Sequence, residues 1–379
     1  VSDRSIAPDV ARVVDQIREA RALGTPLRVT GAGTWLDAGQ RCDAARRLEL
    51  GPLKGITRYE PGDLTLTARA GTSLSEIARA TNAEGQWLTL DAHGSSEGTL
   101  GATVATASAG PLSAAYGTPR DHVLGCEFVS GTGDVVRAGG RVVKNVAGFD
   151  LVRLVTGAWG TLGALTEITV RLRARPEVES TLAVEVDSAN AAWSWLRQSE
   201  YTPLAAELLS PALASRLSIP GACLLVRLGG NAAFVRAAGD AAATLGSTTS
   251  VDVGAWSAFS NMEPPGAFSL RVSTLPSRIG ELWPRAVAFA ERAGGYAHAT
   301  VARGVARCVL PPTDDPAQLE RLRAGIAELA TVSTVVGERM PAPLWSQLNH
   351  NRSSGVLAEG VRRAFDPDGI MNPGILDVA

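Results

Sequence analysis

Residues 98–121 read GTLGATVATASAGPLSAAYGTPRD, a run of Gly, Ala, Ser and Thr so poor in large side chains that its backbone must approach something closely. A cofactor would satisfy that requirement, and so would a tightly packed neighbouring helix or strand. Composition alone leaves the two readings open.

The segments before it supply context. Val10, Val13, Val14, Ile17 and Ala20 recur at helical spacing, and Gly24 and Pro26 stop that helix before a short strand, PLRVT. The strand runs directly into TGAGTWL, where Gly31 and Gly33 let backbone N–H groups crowd around an anion. The third glycine of a dinucleotide fingerprint is missing, so by itself this segment also reads as a plain turn. DLTLTARA at 63–70 alternates as a half-buried strand, and Gly71 and Ser73 cap a helix to about Ala83. CEFVSGTGDVVRAGG reads as a hairpin and TLGALTEITVRLR as a further long strand.

RARPEVES at 173–180 breaks the pattern, which places a boundary near residue 175. Beyond it the strand-like runs TLAVEVD, CLLVRL, FSLRVSTL and ARCVLP alternate with helical segments at 188–199, 231–244, 278–293 and 315–329. An antiparallel sheet covered by helices on one face is expected.

Together these segments resemble the vanillyl-alcohol-oxidase-type flavoproteins. TGAGT, DLTLTARAGTSLSEI, GTLGATVATASAGP with YGTPRDHVLG, and VVKNVAGFDLVRLVTGAWGTLGALTEI follow one another in the family's order across residues 25–175. KNVAGFD and the closing FDPDGIMNPG are most similar to the FAD-binding subunit of glycolate oxidase. The resemblance implies an α+β fold: a PCMH-type two-subdomain FAD-binding domain at 1–175, an α+β cap or substrate domain at 176–340, and a segment at 341–379 returning to the flavin site. It also implies FAD as cofactor. Gly31, Ala32, Gly33 and Thr34 would hold the diphosphate, with Thr99, Gly101, Ala102, Thr106 and Ser108 along the ribityl chain and diphosphate. Gly163 and Ile168 would lie near the adenine, Lys144 and Asn145 near the flavin, and Asn372 would reach the isoalloxazine.

Three departures qualify the carry-over. Thr34, Trp35 and Leu36 stand where relatives often carry a tethering histidine, which implies noncovalent FAD. Ala32 and Ala102 replace frequent glycines, and PGIL lacks the basic residue relatives place after Pro-Gly.

Catalysis by such a family requires a cation for the substrate carboxylate and a base for the hydroxyl proton. Arg271 in SLRVSTLP is a candidate for the first, with a surface salt bridge as its alternative, and His350 in LNHNRSSG for the second. Catalytic relatives carry an HxH metal cluster, whereas the comparable stretch here, YAHATVARG, holds only His298, which reads first as a structural histidine. The other histidines, His93 and His122, are far from it in sequence, so no metal site is expected. Cys42, Cys126, Cys223 and Cys308 form no CxxC pair and read as free buried thiols.

With 36 Lys plus Arg against 38 Asp plus Glu, the chain has no charge excess with which to attract nucleic acid, and its tryptophans form no stacking array. No leader or membrane span is legible, which makes a cytoplasmic location the expectation, with membrane association at most peripheral and through partners. Two functions compete: a subunit of a 2-hydroxyacid dehydrogenase complex, beside a catalytic flavin subunit and an iron–sulfur subunit, or an autonomous dehydrogenase. A third reading keeps the fold as a scaffold with a decayed flavin pocket.

Overall fold

The computed structural model describes residues 6–42, 44–140, 149–345, 348 and 355–376. The first helix, Pro8–Ala22, buries the periodic set Val10, Val13, Val14, Ile17 and Ala20. That stripe packs against Leu27, Leu48 and Leu50, and against Ile370 and Met371 from the far end of the chain. Each such side chain, once buried, contributes roughly 1.5–3 kcal/mol. The strand Leu27–Thr30 pairs in parallel with Arg46–Glu49. The latter strand escapes sequence reading because RRLE has one buried position, Leu48, and no alternation to reveal it.

A five-stranded antiparallel sheet follows, in the order Ile56–Glu60, Thr65–Arg69, Ala164–Arg171, Val123–Val129, Val135–Gly139. The last two strands are the hairpin expected around SGTGD. Ser73 caps the helix Leu74–Asn82, its hydroxyl accepting the Glu76 N–H at 3.1 Å. The helix Leu100–Thr106 lies on this sheet, with Leu100 and Val104 in its core.

The described strands between 178 and 339 form an eight-stranded antiparallel sheet. Its order is Thr248–Val251, Val178–Val184, Cys223–Gly230, Ala205–Leu209, Tyr296–Thr300, Val305–Leu310, Phe268–Ser273, Thr334–Arg339. Four helices, Ala189–Gln198, Ala232–Ala243, Ile279–Arg292 and Pro316–Ala330, cover one face. The opposite face packs on Trp87 and Leu112 of the first half. The fold is α+β, as expected.

The chain then returns. Leu27 donates to the Ile370 carbonyl at 2.7 Å, and Asn372 donates to the Leu27 carbonyl at 2.9 Å. Residues 370–372 thereby extend the small parallel layer at its edge, with Leu27 bridged to Met371.

Candidate functional site: a cleft beside the glycine loop

The loop after Leu27–Thr30, the helix Leu100–Thr106, the 155–165 segment and the returning C-terminal segment enclose a cleft of about 870 Å³, mouth included. Gly31, Ala32, Gly33, Thr34, Thr99, Gly101, Ala102, Thr106, Gly163 and Asn372 all line it. Ser108 lies beside it, in a smaller pocket that shares Thr34, Trp35, Thr99, Ala102 and Thr106 with the cleft.

Within the loop, and among the described residues, the backbone N–H groups of Ala32, Gly33 and Thr34 meet no protein acceptor. Ala32 and Gly33 are exposed and Thr34 is half-buried, so these donors are open to solvent or to a ligand. Donors left open along a cleft wall fit an anionic ligand such as a diphosphate. Side chains leave the cleft open despite the methyl groups of Ala32 and Ala102.

The small-residue run serves both purposes that its composition allowed. A Cβ on Gly101 would fall 2.8 Å from the Ala70 carbonyl oxygen, and one on Gly110 would fall 2.1 Å from that of Asp91. Those glycines permit close packing, while Thr99, Ala102 and Thr106 on the same stretch face the cleft.

Ile168 stands apart from the other expected residues. It lies mid-strand between Ala68 and Cys126 of the neighbouring strands, fully buried in the core of the five-stranded sheet, and it is absent from the cleft wall. The alternation of the strand decides this: an apolar residue in a sheet bonded on both sides turns into the core. Asn372 reaches the cleft, but its carboxamide braces the walls, Oδ1 accepting the Val29 N–H at 2.7 Å and Nδ2 donating to the Trp159 carbonyl at 2.6 Å. Lys144, Asn145 and His350 lie outside the described residues.

Facing the cleft region from the second sheet is a polar row that the sequence did not announce. His298, Arg307 and Arg271 stand in direct cross-strand register. Their sequence neighbours Ala297, Ala299, Ala306, Cys308, Leu270 and Val272 point into the helix-covered core, so alternation turns the three polar side chains to the other face. Arg307, 4% exposed, is held by Glu263 and Glu338 and donates to the Ser269 hydroxyl at 3.2 Å. Burial alone would raise the Glu263 carboxyl, but the Arg307 guanidinium, helped by Arg339, overrides it and holds the group down to about 2. Arg271 is more open and lies 4.0 Å from Glu338.

His298 is buried, with Nδ1 2.9 Å from Glu207 Oε2 and its ring 5.2 Å from that of His93. His93 also lines the smaller pocket beside Thr34 and Thr99. Burial, then the Arg307 guanidinium and His298, hold His93 well below the ordinary histidine range, so it is neutral at neutral pH. His93 and His298 are far apart in sequence, and only a contact between the two halves of the chain could reveal the pair. Among the described residues no group of three or more His, Cys, Asp or Glu is arranged to hold a metal ion. Burial pushes the thiols of Cys126 and Cys308 up to about 12 and that of Cys223 to about 11, while Cys42 is partly exposed.

Residues 6–139 match the family described as FAD binding domain. FAD is the cofactor it binds. The chain is similar to glycolate oxidase subunit GlcE of Escherichia coli (strain K12), with 37% identity over 193 residues, 51% of this chain and 55% of that one. Glycolate oxidase subunit GlcD of Bacillus subtilis (strain 168) is 33% identical over 196 residues, 50% of this chain and 41% of that one. The matched stretch thus spans about half the length of these relatives. Among solved structures, alkyldihydroxyacetonephosphate synthase superposes with a TM-score of 0.70 at 16% identity, over 96% of this chain and 75% of the other, and so shares the fold.

Proposed function

We propose that the chain is the FAD-binding subunit of a 2-hydroxyacid dehydrogenase complex of the glycolate or D-lactate type. It would hold FAD noncovalently in the cytoplasm and work beside a catalytic flavin subunit and an iron–sulfur subunit. One observation carries the subunit reading: the cleft is built for the cofactor, whereas the buried cation facing it is already neutralised. Arg307 is held by two carboxylates and a hydroxyl, so a substrate carboxylate arriving there would have to displace Glu263 or Glu338. The similarity to two glycolate oxidase subunits supports the same reading.

In this proposal Ala32, Gly33 and Thr34 offer backbone N–H groups to the diphosphate, and Thr99, Ala102 and Thr106 flank the chain that joins it to the ring. Trp35 and Trp159, 6.3 Å apart, wall the same cleft. Asn372 fixes the strand and the Trp159 loop relative to one another. Bound FAD supplies two-electron acceptance from a hydroxy acid or from another flavin.

Autonomous dehydrogenase activity is the second reading, and the His298–Glu207 pair favours it. In the tautomer protonated at Nδ1, His298 donates to Glu207 Oε2 and leaves Nε2 as an acceptor, the arrangement of a general base. Arg271, on the same sheet face, would then take the substrate carboxylate. The open cleft argues against a decayed scaffold.

The test is the visible spectrum of the purified chain before and after acid precipitation, followed by turnover with glycolate or D-lactate and an artificial acceptor. Flavin released into the supernatant, with turnover appearing only when partner subunits are added, is the expected result. Turnover by the isolated chain that Arg271→Ala abolishes would replace the subunit reading with the autonomous one. A colourless chain that takes up no FAD would overturn both.

A further inference from the structure

The cofactor loop is held from outside its own domain. Arg339 ends the edge strand Thr334–Arg339 of the second sheet, and its side chain is only 8% exposed. Its guanidinium reaches across to the loop that continues from Gly31–Thr34. Nη2 donates to the Thr34 carbonyl at 3.2 Å, and Nε lies 3.2 Å from Asp37 Oδ1. The charged plane stands 4.8 Å from the centre of the Trp35 ring. Behind it, Nη1 donates to Glu263 Oε2 at 3.1 Å, the carboxylate that also holds Arg307. The adjacent Glu338 carbonyl accepts the Gly39 N–H at 2.8 Å.

We propose that Arg339 is a positioning residue for the diphosphate part of the cleft, rooting the cofactor loop in the ion network of the second sheet. This rests on the reading of the cleft as the FAD site. The physical argument begins with the peptide plane. A carbonyl and the N–H of the same peptide point in opposite directions, so drawing the Thr34 carbonyl toward Arg339 fixes the direction of the Trp35 N–H. The guanidinium over the Trp35 ring and the ion pair with Asp37 add two further contacts to the same turn. A planar guanidinium can donate along its edge and stack by its face at once; an ammonium cannot. The first domain contains the anion-binding donors of Ala32, Gly33 and Thr34, and the peptide that closes that run is held by Arg339, 305 positions beyond Thr34. FAD retention therefore depends on the second domain even though that domain contributes no residue to the cleft wall.

The experiment titrates the full-length chain, stripped of flavin, with FAD, ADP and riboflavin, following tryptophan fluorescence. Trp35 and Trp159 line the cleft and report its occupancy. In Arg339→Lys and Arg339→Ala, affinity for ADP and FAD is expected to fall about tenfold or more, the loss of one charge-assisted contact, with riboflavin affinity unchanged. Removing a buried charge partner of Glu263 can unfold the alanine variant, and there the lysine variant decides, since it keeps a cation against Glu263. Wild-type ADP affinity in Arg339→Lys, or equal loss of ADP and riboflavin, would overturn the proposal while leaving the reading of the cleft as the FAD site in place. A wild-type chain that binds none of the three ligands would overturn the FAD reading itself, and this one with it.

Discussion

Asp91 accepts the Leu112 N–H at 2.7 Å and keeps the tight Gly110 turn closed against its own backbone. Burial, against the pull of that hydrogen bond, pushes its carboxyl up to about 7. A carboxyl raised in the folded state binds more protons there than in the unfolded chain. It therefore costs stability progressively as pH rises from about 4 to about 7. Asp91→Asn keeps an acceptor for Leu112 and removes the charge. Thermal melts should show the variant more stable than the parent at pH 8, by roughly 2–4 kcal/mol, with the difference vanishing near pH 4. A variant destabilised equally at both pH values would show that the aspartate is ionised and compensated. The sequence shows Asp91 beside the small-residue run, but not that the run folds back onto it; burial is a property of the fold.

The ion network belongs to the scale of elements. It joins the segment before Phe268–Ser273 to the strands Val305–Leu310 and Thr334–Arg339 through Glu263, Arg307, Glu338 and Arg339. Strand formation was legible for FSLRVSTL and ARCVLP because their apolar residues alternate. The strand TVVGER was not, and neither was the partner order, since nothing in a short run says which strand lies beside it. Glu263→Gln removes the charge that both guanidinium groups share. Leaving two buried cations short of a partner is expected to cost about 3–5 kcal/mol, measured by urea unfolding. Because the Glu263 carboxyl is depressed to about 2, its contribution is present above the unfolded pKa near 4.5 and is lost as pH falls toward 2. The variant should therefore lose much of the parent's stability difference between pH 6 and pH 3. An unchanged urea midpoint would mean that the network contributes nothing to stability.

At the scale of the molecule, the two ends of the chain close the site together. Met371 bridges to Leu27, Ile370 and Met371 complete the core under the first helix, and Asn372 braces both cleft walls. Ending the chain after Phe365 removes all of these. The truncated protein is expected to lose FAD on gel filtration and to be cleaved faster by protease within 8–50, with spectrum and digest as the two readouts. Retention of flavin would show that the first domain closes its cleft unaided. The sequence by itself determined the first helix, the glycine loop and the small-residue run, because periodicity and the absence of Cβ atoms act locally and leave a linear trace, while the cofactor was legible only through the resemblance of its ordered motifs to a flavoprotein family. Ile168 in the core, the pairing of His93 with His298, the neutralised Arg307 and the reach of Arg339 were decided only by tertiary structure. Each depends on which distant strand packs alongside, and the energy of those contacts comes from desolvation and charge pairing that no short segment contains.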